Sequence, residues 1–583
     1  MIIRWKMEPE PGKRITPEMI GDSIFSVRDI PDRDSFFHPP HPELLTMASF
    51  GYEKEMKKAL ALLDKLRAKK GRIVVYTDYD ADGITGGAIL WQTLHLLGFD
   101  VMPYVPHRQH EGYGFSKKGI DTVIETLHPD LIISVDHGIS ARKQIAYALS
   151  RGVPVIVTDH HLKPEEGPDK AILIFHVPAL SGSGVAYIFA SELVRHFESK
   201  NGTETPLRRS FRHDYLALAA TGTIADLVPL VGASRSIVYH GLKAFRHITH
   251  TGLRHLLEEA GIAGKEITPH EVGFMIAPRI NALGRLEHAL DALRLLCTSD
   301  DARATELAAK LGDANSRRQS LLKDSLETAK KIVEEMKGRG PLPALLVLQH
   351  ASWHEGIIGL LAAKIAEREN RPTLVMTKAE HGWKGSGRSA GEFHLTDFLR
   401  SFSHLLTGVG GHKGASGFSL PEDAKDEFVK EAIGRAEQTI GTKEFSREIV
   451  ADYLLPLENA NMPLLAYLHK LEPWGMGNPK PVLASFCETV SARTMGKLGN
   501  HVKITVKNDS GGLLECVSFY APEDVKSVRR GNRLLMAYTL DVNEWLGKQK
   551  PQAKLVAVTV LPEEQSGGNT DRSRNQPPRY PPR

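Results

Sequence analysis

Short β-branched apolar runs alternate with helical patterns through the first half of the chain, the arrangement of a parallel sheet covered by helices. The runs are Arg72 to Thr77 (RIVVYT), Asp130 to Val135 (DLIISV) and Val153 to Thr158 (VPVIVT), and each is followed by acidic or histidine residues: DYDADG, DHG and DHH. In open α/β sheets ligands collect at the carboxyl ends of the strands, so three such ends predict one crevice. From Asp301 to Lys337 the pattern is helical almost without break, with an apolar stripe that includes Leu307, Leu311, Leu322, Leu326 and Val333. Such a helix would be about 50 Å long, enough to join two domains. A second α/β pattern begins at Ala344 and holds two glycine-rich loops, GSGRS from Gly385 and VGGHKGASG from Val409. Past Arg447, short alternating runs such as HVKITVKN and ECVSFY, separated by Gly, Asn and Asp, predict a small β-barrel or sandwich. The tail from Ser566 is rich in Gly, Pro and Arg and is expected to be disordered.

Composition narrows the class. The 583 residues are too many for one ordinary core, and 41% hydrophobic with 25% charged residues is ordinary for a globular protein. No apolar stretch is long enough for a membrane span, and the first residues lack the apolar core of a signal peptide. Three scattered cysteines, Cys297, Cys487 and Cys516, lack zinc-site spacing and suit a reducing compartment, so a cytoplasmic protein with free thiols is expected. The formal charge of +4 means that any contact with nucleic acid must come from local basic patches.

Asp78, Asp80 and Asp82 lie within five residues at a strand end, and carboxylates this close repel unless a cation neutralises them. A lone DxDxDG is as readily a solvated acidic loop. Asp136 and the triplet Asp159, His160 and His161, at two further strand ends, make coincidence a poor account. Oxygen and imidazole ligands without thiolate suit Mn²⁺ or Mg²⁺, and one carboxylate can bridge two ions. Asp226 in GTIAD is a further acidic candidate. Arg388 and Ser386 in GSGRS sit among small residues that let a backbone approach an oxyanion, although a tight turn with an exposed arginine fits the same letters.

In order, DYDADG, the strand-end Asp136, the DHH triplet and GTIAD resemble the motifs of the DHH phosphoesterase superfamily. GGH at Gly410 to His412 followed by KGASG resembles its DHHA1 subdomain motif. EGYG from Glu111, APRINALGR from Ala277, WHEGIIG from Trp353 and GSGRS resemble those of the RecJ-type 5′ exonucleases specific for single strands. The likeness runs from about residue 40 to 562. It implies a multidomain α/β architecture: an N-terminal extension (1–45), a parallel-sheet DHH catalytic domain (46–300), a connector helix (301–338), a smaller α/β DHHA1 domain (339–448), a β-barrel OB-fold that binds DNA (449–562) and a disordered basic tail (563–583). Tyr76 stands where some members have a histidine ligand, and Ala233, Ser234, Ala363 and Lys364 depart from residues usual in the RecJ type.

The resemblance also implies roles. Asp78, Asp80, Asp82, Asp136, His160 and Asp226 would be ligands of two Mn²⁺ or Mg²⁺ ions, with His161, Asp159 and His412 as catalytic or orienting groups. Arg108, Ser386 and Arg388 would grip a 5′-terminal phosphate, and Arg279 would contact the strand nearer the chemistry. The barrel holds Trp474, Phe519, Tyr520, Tyr538 and Trp545 among lysines and arginines, as stacking on a single strand requires. The expected activity is a metal-dependent 5′–3′ exonuclease on single-stranded DNA, releasing 5′-mononucleotides in recombination and repair. The expected partners are single-stranded DNA and possible helicase and single-strand-binding proteins, with no membrane and a monomeric chain. Two other readings are a DHH oligoribonuclease or cyclic-dinucleotide phosphodiesterase, which is usually shorter, and an inactive DHH scaffold, which would have lost its metal carboxylates.

Overall fold

The computed structural model describes the chain except for residues 1, 10–14, 29, 31, 109, 199–204, 442–447, 498, 546 and 563–583. The expected disordered tail therefore lies outside the described residues. The rest falls into two units: Pro39–Phe445, and a second made of Met1–His38 with Ser446–Arg583.

Within Pro39–Phe445, five parallel strands form a sheet in the order Asp100–Tyr104, Arg72–Thr77, Leu131–Val135, Val155–Asp159, Leu173–His176. The three apolar runs read from the sequence are its central strands. Ile73, Val74, Val75, Ile132, Ile133 and Ile156 are fully buried, because helices cover both faces and a parallel strand has no wet side. The strand order reverses between Arg72–Thr77 and Leu131–Val135, and their carboxyl ends open the crevice that such a switch point creates. Helices Ala81–Leu96, Gly182–Phe197 and Asp214–Ala225 pack together on one face. No helix among the described residues is long and apolar enough to cross a membrane.

One helix spans Asp301–Arg339, started by Asp300, whose carboxylate accepts from Arg303 N at 2.8 Å. Its first half places Leu307, Ala308 and Leu311 in the core of the parallel-sheet region. Its second half places Ala329 and Val333 against Leu346, Leu361 and Ile365. There a mixed sheet runs in the order Gly408–His412, Ala415–Leu420, Gly382–Arg388, Thr373–Ala379, Leu346–Gln349, antiparallel except for its last pair.

In the other unit, strands Leu483–Met495, His501–Lys507, Leu513–Ser518, Lys548–Val560 and Arg533–Trp545 pair in that order, and the last returns to the first. The five strands thus close as 1-2-3-5-4-1, an OB-type barrel that leaves its members no free edge. Of residues 1–45, expected as an N-terminal extension, Ile2–Met7 pairs in parallel with Glu448–Leu454, while Ile20, Ile24, Phe25 and Phe36 share a core with Leu464, Leu465 and Leu468. Residues from Pro39 on belong to the parallel-sheet unit. The buried Arg28 donates to Asn478 Oδ1 at 2.6 Å and lies 3.5 Å from Asp452 Oδ2.

Candidate metal centre and adjoining arginine cavity

The predicted metal ligands are placed by strand ends and by the ends of the helices packed beside them. Asp78 follows Arg72–Thr77 directly, and Asp80 caps the next helix, its Oδ1 accepting from Asp82 N and Gly83 N, each at 3.0 Å. Asp82 is fixed by the start of another helix, accepting from Gly182 N at 2.7 Å and Ser183 N at 2.9 Å. Asp136 ends Leu131–Val135 with φ of 67°, a left-handed backbone rare for a residue with a side chain and frequent where function requires the strain. The helix start at Gly182 touches this carboxylate so closely that a Cβ there would collide with it. Asp226 terminates Asp214–Ala225, where the negative end of the helix dipole opposes a second negative charge.

These groups converge on His160. Its Nε2 lies 3.1 Å from Asp136 Oδ1, 3.4 Å from Asp226 Oδ2 and 3.8 Å from Asp82 Oδ2. Three sets of ligand atoms lie within 4.8 Å of one another: Asp136 with His160 and His161, Asp82 with His160 and Asp226, and Asp78 with Asp80 and Asp136. Asp78 Oδ1, Asp136 Oδ1 and His160 Nε2 are buried without a hydrogen-bond partner. Leaving such atoms unpaired is costly, and divalent cations held by these overlapping sets would satisfy them, so the donors fit a metal centre.

The electrostatics agree. Burial, reinforced by neighbouring carboxylates, pushes the Asp78, Asp80 and Asp136 carboxyls above the usual range and raises Asp226 to about 8. Burial also lowers His160, which keeps its imidazole neutral as a ligand must be. Asp159 behaves oppositely. Burial disfavours its charge, but the His161 hydrogen bond and charge and the backbone donors prevail and hold it well below the usual carboxylate range. Its Oδ1 accepts from His161 Nδ1 at 2.8 Å and from His160 N at 2.7 Å, and its Oδ2 from Ile139 N at 2.8 Å. Against the cost of burial, Asp159 raises His161 to about 9, so that imidazole carries a proton on each nitrogen.

Beside the centre lies a cavity of about 690 Å³ lined by Arg108, Tyr113, Arg285, Lys384, Ser386 and Arg388, among others. The structure therefore brings together all three residues expected to hold a terminal phosphate. Arg388 donates to Gly387 O at 2.8 Å and to Ser386 Oγ at 3.3 Å, and Arg108 lies over the Tyr79 ring. Arg279 is placed differently: it pairs with Glu259, donates to Met275 O at 2.7 Å and does not line the cavity. His412 is exposed at the end of Gly408–His412, whose Gly408 and Gly410 line the cavity. Tyr76 is buried, its hydroxyl 3.5 Å from Gly114 O, and Ser234 donates to Ala179 O at 2.6 Å.

Three groups at the site escaped the sequence reading. Tyr113 donates to Asp136 O at 3.2 Å, sits 3.1 Å from His161 Nε2 and also lines the cavity, so it touches both regions. Asn281 accepts from Ala81 N at 2.8 Å and braces the acidic loop, and Arg285, one turn further along that helix, faces the cavity. All three lie within motifs already singled out, EGYG and APRINALGR, but only the tertiary contacts distinguish them from their neighbours.

Comparison with known proteins gives three family matches: the DHH family N-terminal domain over residues 72–223, the DHHA1 domain over 342–438 and the RecJ OB domain over 451–557. The single-stranded-DNA-specific exonuclease RecJ of Escherichia coli is 31% identical over 516 residues, covering 85% of this chain and 89% of the relative. The protein of that name from Bacillus subtilis is 32% identical over 87% of this chain, and the one from Thermus thermophilus is 36% identical over 78%. The match spans just under two thirds of those two relatives, 64% and 65%. A crystal structure of Thermus thermophilus RecJ in complex with Mn²⁺ matches with a TM-score of 0.77 at 30% identity, over 97% of this chain and 81% of that one.

Proposed function

We propose, since this chain belongs to the RecJ family, that it is a metal-dependent exonuclease that removes 5′-mononucleotides from single-stranded DNA and serves recombination and repair. The observation that carries the reading is the convergence of three buried, unsatisfied ligand atoms, on Asp78, Asp136 and His160, at the switch point of the sheet. A catalytically inactive scaffold would have no reason to maintain that cost.

Asp78, Asp80, Asp82, Asp136, His160 and Asp226 would hold two Mn²⁺ or Mg²⁺ ions. Bound there, such ions supply an ionised water, neutralise the phosphate oxygens and support the departing 3′-oxygen. Asp159 orients His161 through Nδ1 and keeps it protonated, and Tyr113 takes the Nε2 proton in a hydrogen bond while anchoring the Asp136 backbone. Arg108, Ser386 and Arg388 hold the 5′-terminal phosphate in the cavity, which sets the end from which cutting starts. His412 steadies charge on the scissile phosphate, and Arg279 contacts the strand beyond it.

In the barrel unit, Phe519 and Tyr520 are exposed, 59% and 78%, and flank His501, whose ring packs edge-on to both. Tyr520 has φ of 51°, and its N donates to His501 Nδ1 at 3.0 Å, so the turn is held in place. They are the stacking residues of the strand, in the turn that follows the third barrel strand and beside His501 at the start of the second, near the surface where OB-folds take oligonucleotides. Tyr538 is buried on Ser485 and belongs to the core, and the Trp545 side chain lies outside the described residues. Helicase and single-strand-binding partners would deliver the strand to a monomeric enzyme.

Calorimetric titration of metal-free protein with Mn²⁺ tests the reading, alongside nuclease assays on the same samples. Wild type should bind the ion and cut single strands, while Asp136→Asn should lose both yet keep its circular dichroism spectrum. Cleavage undiminished after complete chelation would refute it.

A further inference from the structure

The cavity carries more positive charge than one phosphate uses. Arg108, Arg285 and Arg388 line it, and none of the three forms an ion pair with a carboxylate among the described residues. Arg318, on the long helix, bears electrostatically on Arg285, and its buried Nε has no hydrogen-bond partner. The acid that does line the cavity, Glu355, is already paired with Lys384 at 2.7 Å. Burial, together with repulsion from Arg108 and Arg318, lowers Arg285 to about 10, the mark of a guanidinium held without its counter-ion. Guanidiniums are not gathered and desolvated in this way without an anion to repay the cost.

A terminal monophosphate brings about −1.5 to −2 charges, which Arg388 and Arg108 with the Ser386 hydroxyl are enough to meet. The volume, 690 Å³, is also the share of roughly twenty water molecules, far beyond one phosphoryl group. We propose that the cavity accepts strands whose 5′ end carries a triphosphate, with Arg285, backed by Arg318, receiving the outer phosphates. This rests on the end-binding role of the cavity given above and extends it to a second class of end.

The chemistry balances without a further reactant. Water attacks the phosphorus that links the first two nucleotides, and the bond from that phosphorus to the 3′-oxygen of the first nucleotide breaks. The water oxygen stays on the new 5′-phosphate of the shortened strand, and a proton passes to the departing 3′-oxygen. The first product is then a nucleoside 5′-triphosphate with a free 3′-hydroxyl, and every later product is a monophosphate.

The test uses the full chain and one single-stranded DNA sequence bearing a 5′-hydroxyl, a 5′-monophosphate or a 5′-triphosphate. Binding is read by fluorescence anisotropy without metal, and products by mass spectrometry with Mn²⁺. The expected order of affinity is triphosphate, monophosphate, hydroxyl, with a nucleoside triphosphate released in the first turnover. Arg285→Gln should cut the triphosphate-to-monophosphate affinity ratio roughly ten- to a hundredfold, the worth of one charge-assisted contact, and Arg285→Lys should restore part of it. If the triphosphate end binds no better than the monophosphate end, or if Arg285→Gln leaves their ratio unchanged, the inference fails while the end-pocket role stands. If hydroxyl and monophosphate ends bind alike, the end-pocket role itself fails.

Discussion

The acidic centre and the arginine cavity are both clusters of like charge, yet they are assembled in opposite ways. The carboxylates are held by backbone: Asp80 and Asp82 accept amide hydrogens at helix starts, and Asp136 is set by a strained φ at a strand end. The arginines reach their cavity on long side chains from a loop, a helix and a strand, and they bond chiefly to neutral oxygens or to nothing described. A rigid frame suits a centre that must fix metal geometry within tenths of an ångström. Adaptable side chains suit a pocket that must admit strand ends. Removing a group from the first should therefore abolish the reaction, whereas removing one from the second should change which substrates react.

The largest expected effect is at the rigid centre. Asp136→Ala should lower turnover by roughly a thousandfold or more on every substrate, and Asp80→Ala and His160→Ala should do the same without adding to it, since each disables one shared unit. Steady-state rates on saturating single strands measure this, and additive losses would separate the ligands into independent sites. In the cavity, Arg388→Ala should cost about 1.5 to 3 kcal/mol of discrimination between 5′-phosphate and 5′-hydroxyl ends and little on the hydroxyl end itself. Equal loss on both ends would make Arg388 part of the chemistry and erase the contrast between the two clusters.

Two smaller effects sharpen it. Phe519→Ala should weaken binding of a long single strand by about 1 to 3 kcal/mol per lost stack, leaving the end preference alone, as equilibrium titration at fixed salt can show. For stability, the raised carboxyls set the sign. Asp226 binds its proton more tightly in the folded state, so metal-free protein should lose stability as pH rises from the ordinary value of 3.8 through about 8. Saturating Mn²⁺ should remove that decline and add about 2.7 kcal/mol at a hundredfold excess over Kd. Thermal melts at pH 6 and pH 8, with and without the ion, provide the measurement, and a metal-free protein that is more stable at pH 8 would contradict the sign.

The acidic centre was legible because its ligands, apart from Asp226 at a helix end, follow closely on apolar strands, and a parallel strand buried on both faces is the plainest signal a sequence carries. The cavity was legible only in part. Arg388 stands in the glycine-rich GSGRS run and Arg108 in the loop just before EGYG, but Arg285 and Arg318 lie on amphipathic helices, where an arginine normally marks a wet face and only packing turns it inward. Tyr113 was hidden for a similar reason, since a tyrosine in EGYG could serve a turn as easily as a metal ligand's backbone. The barrel was readable from its alternation, but the contribution of Ile20, Ile24, Phe25 and Phe36 to its core was not, because that contact joins segments more than 400 residues apart. Alternation also could not sort the barrel aromatics: Tyr538 is buried on its strand, while Phe519 is exposed in the turn just past Leu513–Ser518.

The account stands on both clusters acting together on one strand end, and the first product of a single turnover tests that most directly. A 5′-phosphorylated single strand labelled at either end is mixed with Mn²⁺-loaded protein and quenched within the first turnover. The account predicts a 5′-labelled mononucleotide while the 3′ label remains on a strand shortened by one residue, with neither product from duplex DNA of the same sequence. Loss of the 3′ label first, or internal fragments in place of mononucleotides, would contradict it.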